Sequence, residues 1–331
     1  MPKVLIAGAS GYAGALAARL IDRHPEFELA AITSRSEAGR RLSELYPHHR
    51  VALTLEELDL DRHASVDAAI VAYPHGAAAA LVAQLLERGV RVIDLSADFR
   101  LRDVETYERW YVTHPHPDLL EQAVYGLTEL NREAISEARL VACPGCFPTA
   151  AILALAPLAR AELLADVVID AKTGVSGAGR GLREDTQFVA VNENVKPYRV
   201  GAHRHMPEID QELAALGAPL TVAFTPHLVP LDQGELLSCY ITTTRPVGQE
   251  ELDEWFAESY GGEPFIDLVA SAPGVRDVRE TNICAIHAHA DERTSKLFVF
   301  AAIDNLWKGT SSQAVANLNL MFGYPEGTGI S

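Results

Sequence analysis

Apolar residues occur in short, nearly unbroken runs through the first 145 positions, at Lys3–Ala7, Leu29–Thr33, Ala68–Ala72 and Arg91–Leu95. Between them, Ala13–His24 and the alanine-rich stretch Ala77–Arg88 carry a helical pattern. Runs without polar alternation predict strands covered on both faces, and their alternation with helices predicts a parallel, doubly wound α/β sheet. The texture changes near Val167. Leu236–Thr244, Asn282–Ala290 and Leu297–Ile303 are longer, lie close together and are joined by turns such as Asp291-Glu292-Arg293. Such spacing predicts a mixed or antiparallel sheet, hence a second domain of α+β type. Thr310–Phe322 reads as an amphipathic helix ending at Gly323.

One turn in the first domain carries chemistry. Gly8-Ala9-Ser10-Gly11-Tyr12-Ala13-Gly14 follows the first strand and opens the first helix. Glycines there let the backbone turn tightly and approach a pyrophosphate, which rests on the helix N-terminus. No Lys-Ser/Thr pair follows the last glycine, so this is not a nucleotidase phosphate loop. The end of the second strand reads the ribose. A carboxylate there would bind the 2′-hydroxyl of NAD, but the chain has Thr33-Ser34-Arg35-Ser36. Two serine hydroxyls and a guanidinium suit a 2′-phosphate, which points to NADP.

Charge narrows the partners. The net charge of −17 over 331 residues argues against nucleic acid and against an anionic membrane. No apolar run approaches the roughly 20 residues of a membrane span. Glycines break the opening apolar run and no small-residue cleavage site follows, which reads against a signal peptide and for the cytoplasm. Residues 172–204 run the other way, with Lys172, Arg180, Arg183, Lys196, Arg199 and Arg204 against Glu184, Asp185 and Glu193. A locally basic stretch suits a small anionic ligand.

Four cysteines in a chain of this length do not make a disulfide framework. Cys143 and Cys146 flank Pro144-Gly145. Their spacing permits a redox pair, or part of a zinc site if His203 and His205 share one face of a strand. A single nucleophile fits better. Pro148 suits the first turn of a helix running to about Ala159, so Cys146 stands just before its start, where the dipole favours a thiolate. Cys239 and Cys284 fall in apolar strands and read as packing. A thiolate beside a nicotinamide cofactor can hold an acyl group as a thioester that hydride reduces. His203 and His205 are the acid/base candidates.

These motifs resemble the N-acetyl-γ-glutamyl-phosphate reductases, NADPH enzymes of arginine biosynthesis akin to aspartate-semialdehyde dehydrogenases. The matching stretches, in order, are GASGYAG at 8–14, YPHG at 73–76, DLSADFRL at 94–101, PGCFPTA at 144–150, GVSGAGRG at 174–181, HRHMPEI at 203–209 and DNLWKGTSSQAVANLNLMFG at 304–323. Many relatives carry Asn where this chain has Cys143. The resemblance implies a Rossmann domain of residues 1–145 and 306–331. A catalytic, substrate and oligomerisation domain of α+β type would span residues 146–305.

It implies Cys146 as the catalytic cysteine, His205 as the acid/base residue and Glu208 as its orienting partner. Cofactor contacts would come from Gly8, Ser10, Gly11, Tyr12, Ala13, Gly14, Ser34, Arg35, Ser36, Pro74, Ser96, Gly177, Asn305 and Lys308. Arg100, Ser176, Gly179, Arg180 and His203 would meet an acyl-phosphate substrate, and no metal is implied. The subunit would form a homo-oligomer, a dimer or tetramer. A lysine-pathway aminoadipyl-phosphate reductase and a non-enzymatic NADPH-binding redox sensor are the alternatives.

Overall fold

The structure is a computed structural model and describes residues 1–330. The chain divides into two units, one formed by Met1–Gly145 with the residues from Thr310 onward, the other by Cys146–Gly309.

In the first unit six strands make one parallel sheet: β1 (Lys3–Ala7), β2 (Glu28–Thr33), β3 (Ala68–Val71), β4 (Arg91–Asp94), β5 (Ala123–Tyr125) and β6 (Leu140–Ala142). Their spatial order is β2-β1-β3-β4-β6-β5. All four residues of β3 are buried, as a strand covered on both faces must be. The chain winds outward from β1 to β2 and then returns to the other side of β1 for β3. This reversal opens a crevice at the carboxyl ends of β1 and β3, the usual ligand position of such sheets.

The last helix, Ser312–Met321, departs from its sequence pattern. It reads as amphipathic, yet its polar Ser312, Gln313, Asn317 and Asn319 are buried with its apolar residues. Hydrogen bonds make this possible: Asn317 Nδ2 donates to the Gly126 carbonyl at 2.8 Å, and Asn319 Nδ2 to the Glu326 carbonyl at 2.9 Å. The helix packs on Tyr12–Asp22 and Thr128–Glu137, and so belongs to the interior of the first unit. The sequence placed its return to that unit at residue 306; the units divide at Gly309/Thr310.

The second unit is built on a seven-stranded mixed sheet of β7 (Leu164–Thr173), β8 (Lys196–Pro197), β9 (Ala223–Leu228), β10 (Glu235–Thr243), β11 (Ile266–Leu268), β12 (Cys284–Asp291) and β13 (Lys296–Ile303). The order is β11-β12-β13-β10-β7-β9-β8. The helix Cys146–Arg160 packs on this sheet, with every residue from Phe147 to Ala159 buried. That helix contains Pro157, which cannot donate to the carbonyl four residues back, at Leu153. The orphaned carbonyl is taken by the buried hydroxyl of Tyr260, at 2.6 Å. A proline is thus accommodated in the helix interior.

Candidate active site

The glycine-rich turn has the geometry a pyrophosphate needs. Gly8 has φ +91°, and a Cβ on it would lie 2.5 Å from the Ala72 carbonyl oxygen. A Cβ on Gly14 would lie 2.4 Å from the Gly8 carbonyl oxygen, so only glycine lets the helix approach the strand. No side chain caps the helix Tyr12–Asp22 at Gly11, and its first-turn N–H groups are therefore suited to an anionic acceptor. These features fit a dinucleotide.

Beyond the turn, Ser34 donates its hydroxyl to Ser10 at 2.8 Å, and Tyr46 donates to the Ser10 carbonyl at 2.8 Å. Arg35 and Ser36 are exposed, and Pro74 is exposed on the loop after β3. Two other expected contacts, Ser96 and Arg100, are buried. Ser96 is fully buried with its hydroxyl donated to Asp94 at 2.7 Å. Arg100 is buried and turns inward, donating Nε to the Cys143 carbonyl at 2.7 Å and Nη2 to the Leu95 carbonyl at 2.8 Å. These bonds make Arg100 a brace for the strand ends of the first unit.

Within the second unit, Cys146 is the first residue of its helix rather than the residue before it, and Pro148 falls in the first turn. It is half-buried, whereas Cys143 is buried in the first unit and accepts from Asn317 Nδ2 at 3.6 Å. None of the four cysteines is in a disulfide. Among the described residues no group of three or more His, Cys, Asp or Glu is placed to hold a metal ion.

The histidines belong to the same unit as Cys146. His203 and His205 lie on a turn and not on a strand, with His205 at the N-cap of the helix Met206–Ala215. Phe147, the residue after the thiol, stands edge-on to both rings, with centroids 5.5 Å from His203 and 5.8 Å from His205. The two imidazoles are 4.8 Å apart. His203 Nδ1 accepts the main-chain N–H of His205 at 3.2 Å, which leaves Nε2 to carry the proton of the neutral ring. Burial, reinforced by Arg199 and Arg204, lowers its pKa to about 4, so His203 is neutral at physiological pH. Glu208 lies one helical turn beyond His205 and is 1% exposed.

Asn305 anchors the loop after β7. Its Oδ1 accepts the Gly234 N–H at 2.7 Å and its Nδ2 donates to Ser176 Oγ at 3.0 Å. Gly177, Gly179 and Arg180 follow on the exposed part of that loop, Gly179 at φ +81°. Lys308 is fully buried, its ammonium 5.7 Å from the Phe265 ring centre. The basic excess of 172–204 is partly neutralised, because Lys172 pairs with Asp170 at 2.7 Å and Arg183 with Asp185 at 2.6 Å.

Two further groups near Cys146 are absent from the motifs. Tyr198, whose ring is 5.6 Å from that of His203, has a phenol pushed up first by burial and then by the sulfur of Cys146. Glu235 opens β10 and is fully buried. Its only sequence signal is an acid at the head of an apolar strand.

A fold and a thiol of this kind define a class. Residues 3–138 match the NAD binding domain of semialdehyde dehydrogenases, and residues 146–305 match their dimerisation domain. Aspartate semialdehyde dehydrogenase II from Vibrio cholerae, in complex with ASA, superposes with a TM-score of 0.75 over 98% of each chain at 19% identity. The NADP-containing aspartate semialdehyde dehydrogenase of Candida albicans has a TM-score of 0.68, covering 97% of this chain and 98% of that one at 14% identity. At these identities the likeness is one of fold.

Sequence carries the assignment further. The N-acetyl-gamma-glutamyl-phosphate reductase of Pelotomaculum thermopropionicum is 48% identical over 338 residues, 99% of this chain and 97% of its own. That of Geobacter sulfurreducens is 46% identical over 339 residues, 100% of this chain and 98% of its own. The chain belongs to the N-acetyl-gamma-glutamyl-phosphate reductases.

Proposed function

We propose that this protein reduces N-acetyl-γ-glutamyl phosphate to N-acetylglutamate semialdehyde and phosphate, using NADPH, in the cytoplasm. The observation that carries the mechanism is Cys146 as the first residue of a buried helix, in the unit that also holds the His203–Phe147–His205 cluster. The helix dipole favours the thiolate there. Sulfur attacks the γ-carbonyl carbon, the C–S bond forms, and the C–O bond to phosphate breaks. Main-chain N–H groups at the helix start stabilise the oxyanion, a contribution worth roughly 3–4 kcal/mol per donor. His205, with Glu208 as its orienting partner, serves the substrate oxygen as acid and base. NADPH supplies the hydride that takes the thioester to the aldehyde level. Cys146 then leaves as thiolate.

For the cofactor, Ser34, Arg35 and Ser36 in place of a carboxylate favour the 2′-phosphate of NADP. Arg100, Ser176, Gly179, Arg180 and His203 are the substrate contacts of this reading. A reverse, phosphate-dependent assay over a panel of semialdehydes tests it: N-acetylglutamate semialdehyde should give the highest kcat/KM. One methylene is worth only about 1–3 kcal/mol in a pocket, so weak activity on the aminoadipate analogue is compatible. A higher value for that analogue or for aspartate semialdehyde overturns the substrate.

The protein is also proposed to be a homodimer or tetramer. Val168, Tyr240, Phe298 and His289 pair side by side across four strands of the second sheet. Val168 is 40% and Tyr240 37% exposed. A row of this kind on a domain matching a dimerisation family suits a self-complementary interface. Light scattering on Tyr240→Glu should find a smaller species than the wild type; an unchanged mass would rule this face out.

A further inference from the structure

Glu235 sits where a carboxyl has no structural reason to be. It stands directly opposite Thr173 on β7 and Ile303 on β13, so the three side chains form one row on one face of the sheet. Ile303 leads from that row to the thiol. A Cβ added to Gly309 would lie 3.3 Å from Ile303 Cδ1 and 2.8 Å from Cys146 Cβ. Glu235 is 0% exposed, and among the described residues neither of its oxygens closes a hydrogen bond of ordinary geometry. The groups that face the carboxyl as hydrogen-bonding partners are the Cys146 thiol and the Thr173 hydroxyl. Of these the hydroxyl is turned to the Gly174 carbonyl, at 3.4 Å. A buried, unsatisfied carboxyl costs a fold several kcal/mol and persists where it has work to do.

We propose that Glu235 is a catalytic residue, the proton acceptor and store for the Cys146 thiol. This rests on the reading of Cys146 as the nucleophile. When the thiol is activated its S–H bond breaks and an O–H bond forms on the Glu235 carboxyl. When the product aldehyde leaves and sulfur is released as thiolate, the same proton returns. No electrons move between the two groups. The histidines are thereby left to the substrate oxygen.

The surroundings support such an exchange. Burial raises the Glu235 pKa to about 8, with Asp304 adding to the shift and the thiol and hydroxyl opposing it. That value stands close to the roughly 8.5 of an ordinary cysteine, and proton transfer is most effective between matched groups. Three titratable groups face Glu235: Cys146 from its helix, Asp304 from the end of β13, and Tyr198 from the segment at β8. Asp304 is itself held by the N–H groups of Glu280, Leu306 and Trp307.

The test is the pH dependence of iodoacetamide alkylation of Cys146 in the free enzyme, with Cys146→Ser as background. Two groups sharing protons titrate in two steps. The wild type should therefore rise in two steps and Glu235→Gln in one, with kcat lowered roughly 10²–10⁴-fold and NADPH affinity kept. A one-step wild-type profile, or a two-step profile that survives in Glu235→Gln, overturns the proposal. The amide stays neutral, so Glu235→Gln should also withstand urea better than the wild type above pH 8. A variant that fails to fold, or is weaker there, counts against the proposal as well. If Cys146→Ser still turns over, the nucleophile reading is what fails; if it is dead while Glu235→Gln matches the wild type, only this proposal falls.

Discussion

Ser34, at the end of β2, donates its hydroxyl to Ser10 in the glycine-rich turn at 2.8 Å. The bond ties the end of β2, proposed to meet the ribose, to the turn proposed to meet the pyrophosphate, and the next residue, Arg35, is exposed beside it. A guanidinium contact to a 2′-phosphate is worth about 1.5–3 kcal/mol. Arg35→Ala should therefore raise the KM for NADPH roughly 10–150-fold and leave that for NADH nearly unchanged. A wild-type preference for NADH would refute the cofactor reading.

The two cysteines of the Pro-Gly pair should separate on mutation. Cys146→Ser is expected to abolish turnover while NADPH still binds, as followed by fluorescence titration. Cys143 is buried against Asn317, so Cys143→Ser should keep most activity under reducing conditions. Equal losses from both would restore the redox-pair alternative.

The histidines differ in their surroundings and should differ in effect. His205→Asn is expected to lower kcat by about 10²–10⁴-fold, whereas His203→Asn should act mainly on substrate KM. Exchanged effects would exchange the two roles.

His203 also links stability to acid. Its pKa falls from 6.5 to about 4 on folding, so the fold prefers the neutral ring. The stabilisation is fully present above pH 6.5 and is lost as pH falls toward 4, by about 3 kcal/mol in all. Urea midpoints measured from pH 7 to 4 should drop less steeply for His203→Asn than for the wild type. Parallel curves would remove His203 as a source of acid sensitivity.

Tyr260 and Pro157 make a structural prediction independent of the chemistry. Tyr260→Phe removes the hydroxyl that donates to the Leu153 carbonyl and should cost about 1–3 kcal/mol in denaturant unfolding. Activity at 25 °C should persist. In a Pro157→Ala background the helix can supply its own donor to Leu153, and the same substitution should cost less.

Strands and helices of the first unit were legible because burial on both faces removes polar alternation: Ala68–Val71 announces itself. Cys146 was legible through the Pro-Gly turn and the helix pattern after it. His203 and His205 were legible as residues but not as geometry, since a two-residue spacing suggests a strand where the chain forms a turn. Glu235 showed in the sequence only as an acid at the head of an apolar strand. Its meaning comes from register, which sets it between Thr173 and Ile303, residues more than 60 positions away on either side. The last helix misled for a related reason: Asn317 and Asn319 find partners inside the unit, so polarity there does not mark a solvent face.

The burial of that last helix also bears on how the chain is made. Its residues complete a unit whose strands precede the second unit in the chain. Until they emerge from the ribosome, the faces of Tyr12–Asp22 and Thr128–Glu137 that receive them have no cover. The segment Cys146–Gly309, by contrast, emerges whole beforehand and holds its own core. In chain order, therefore, the residues of the second unit are complete before those of the first.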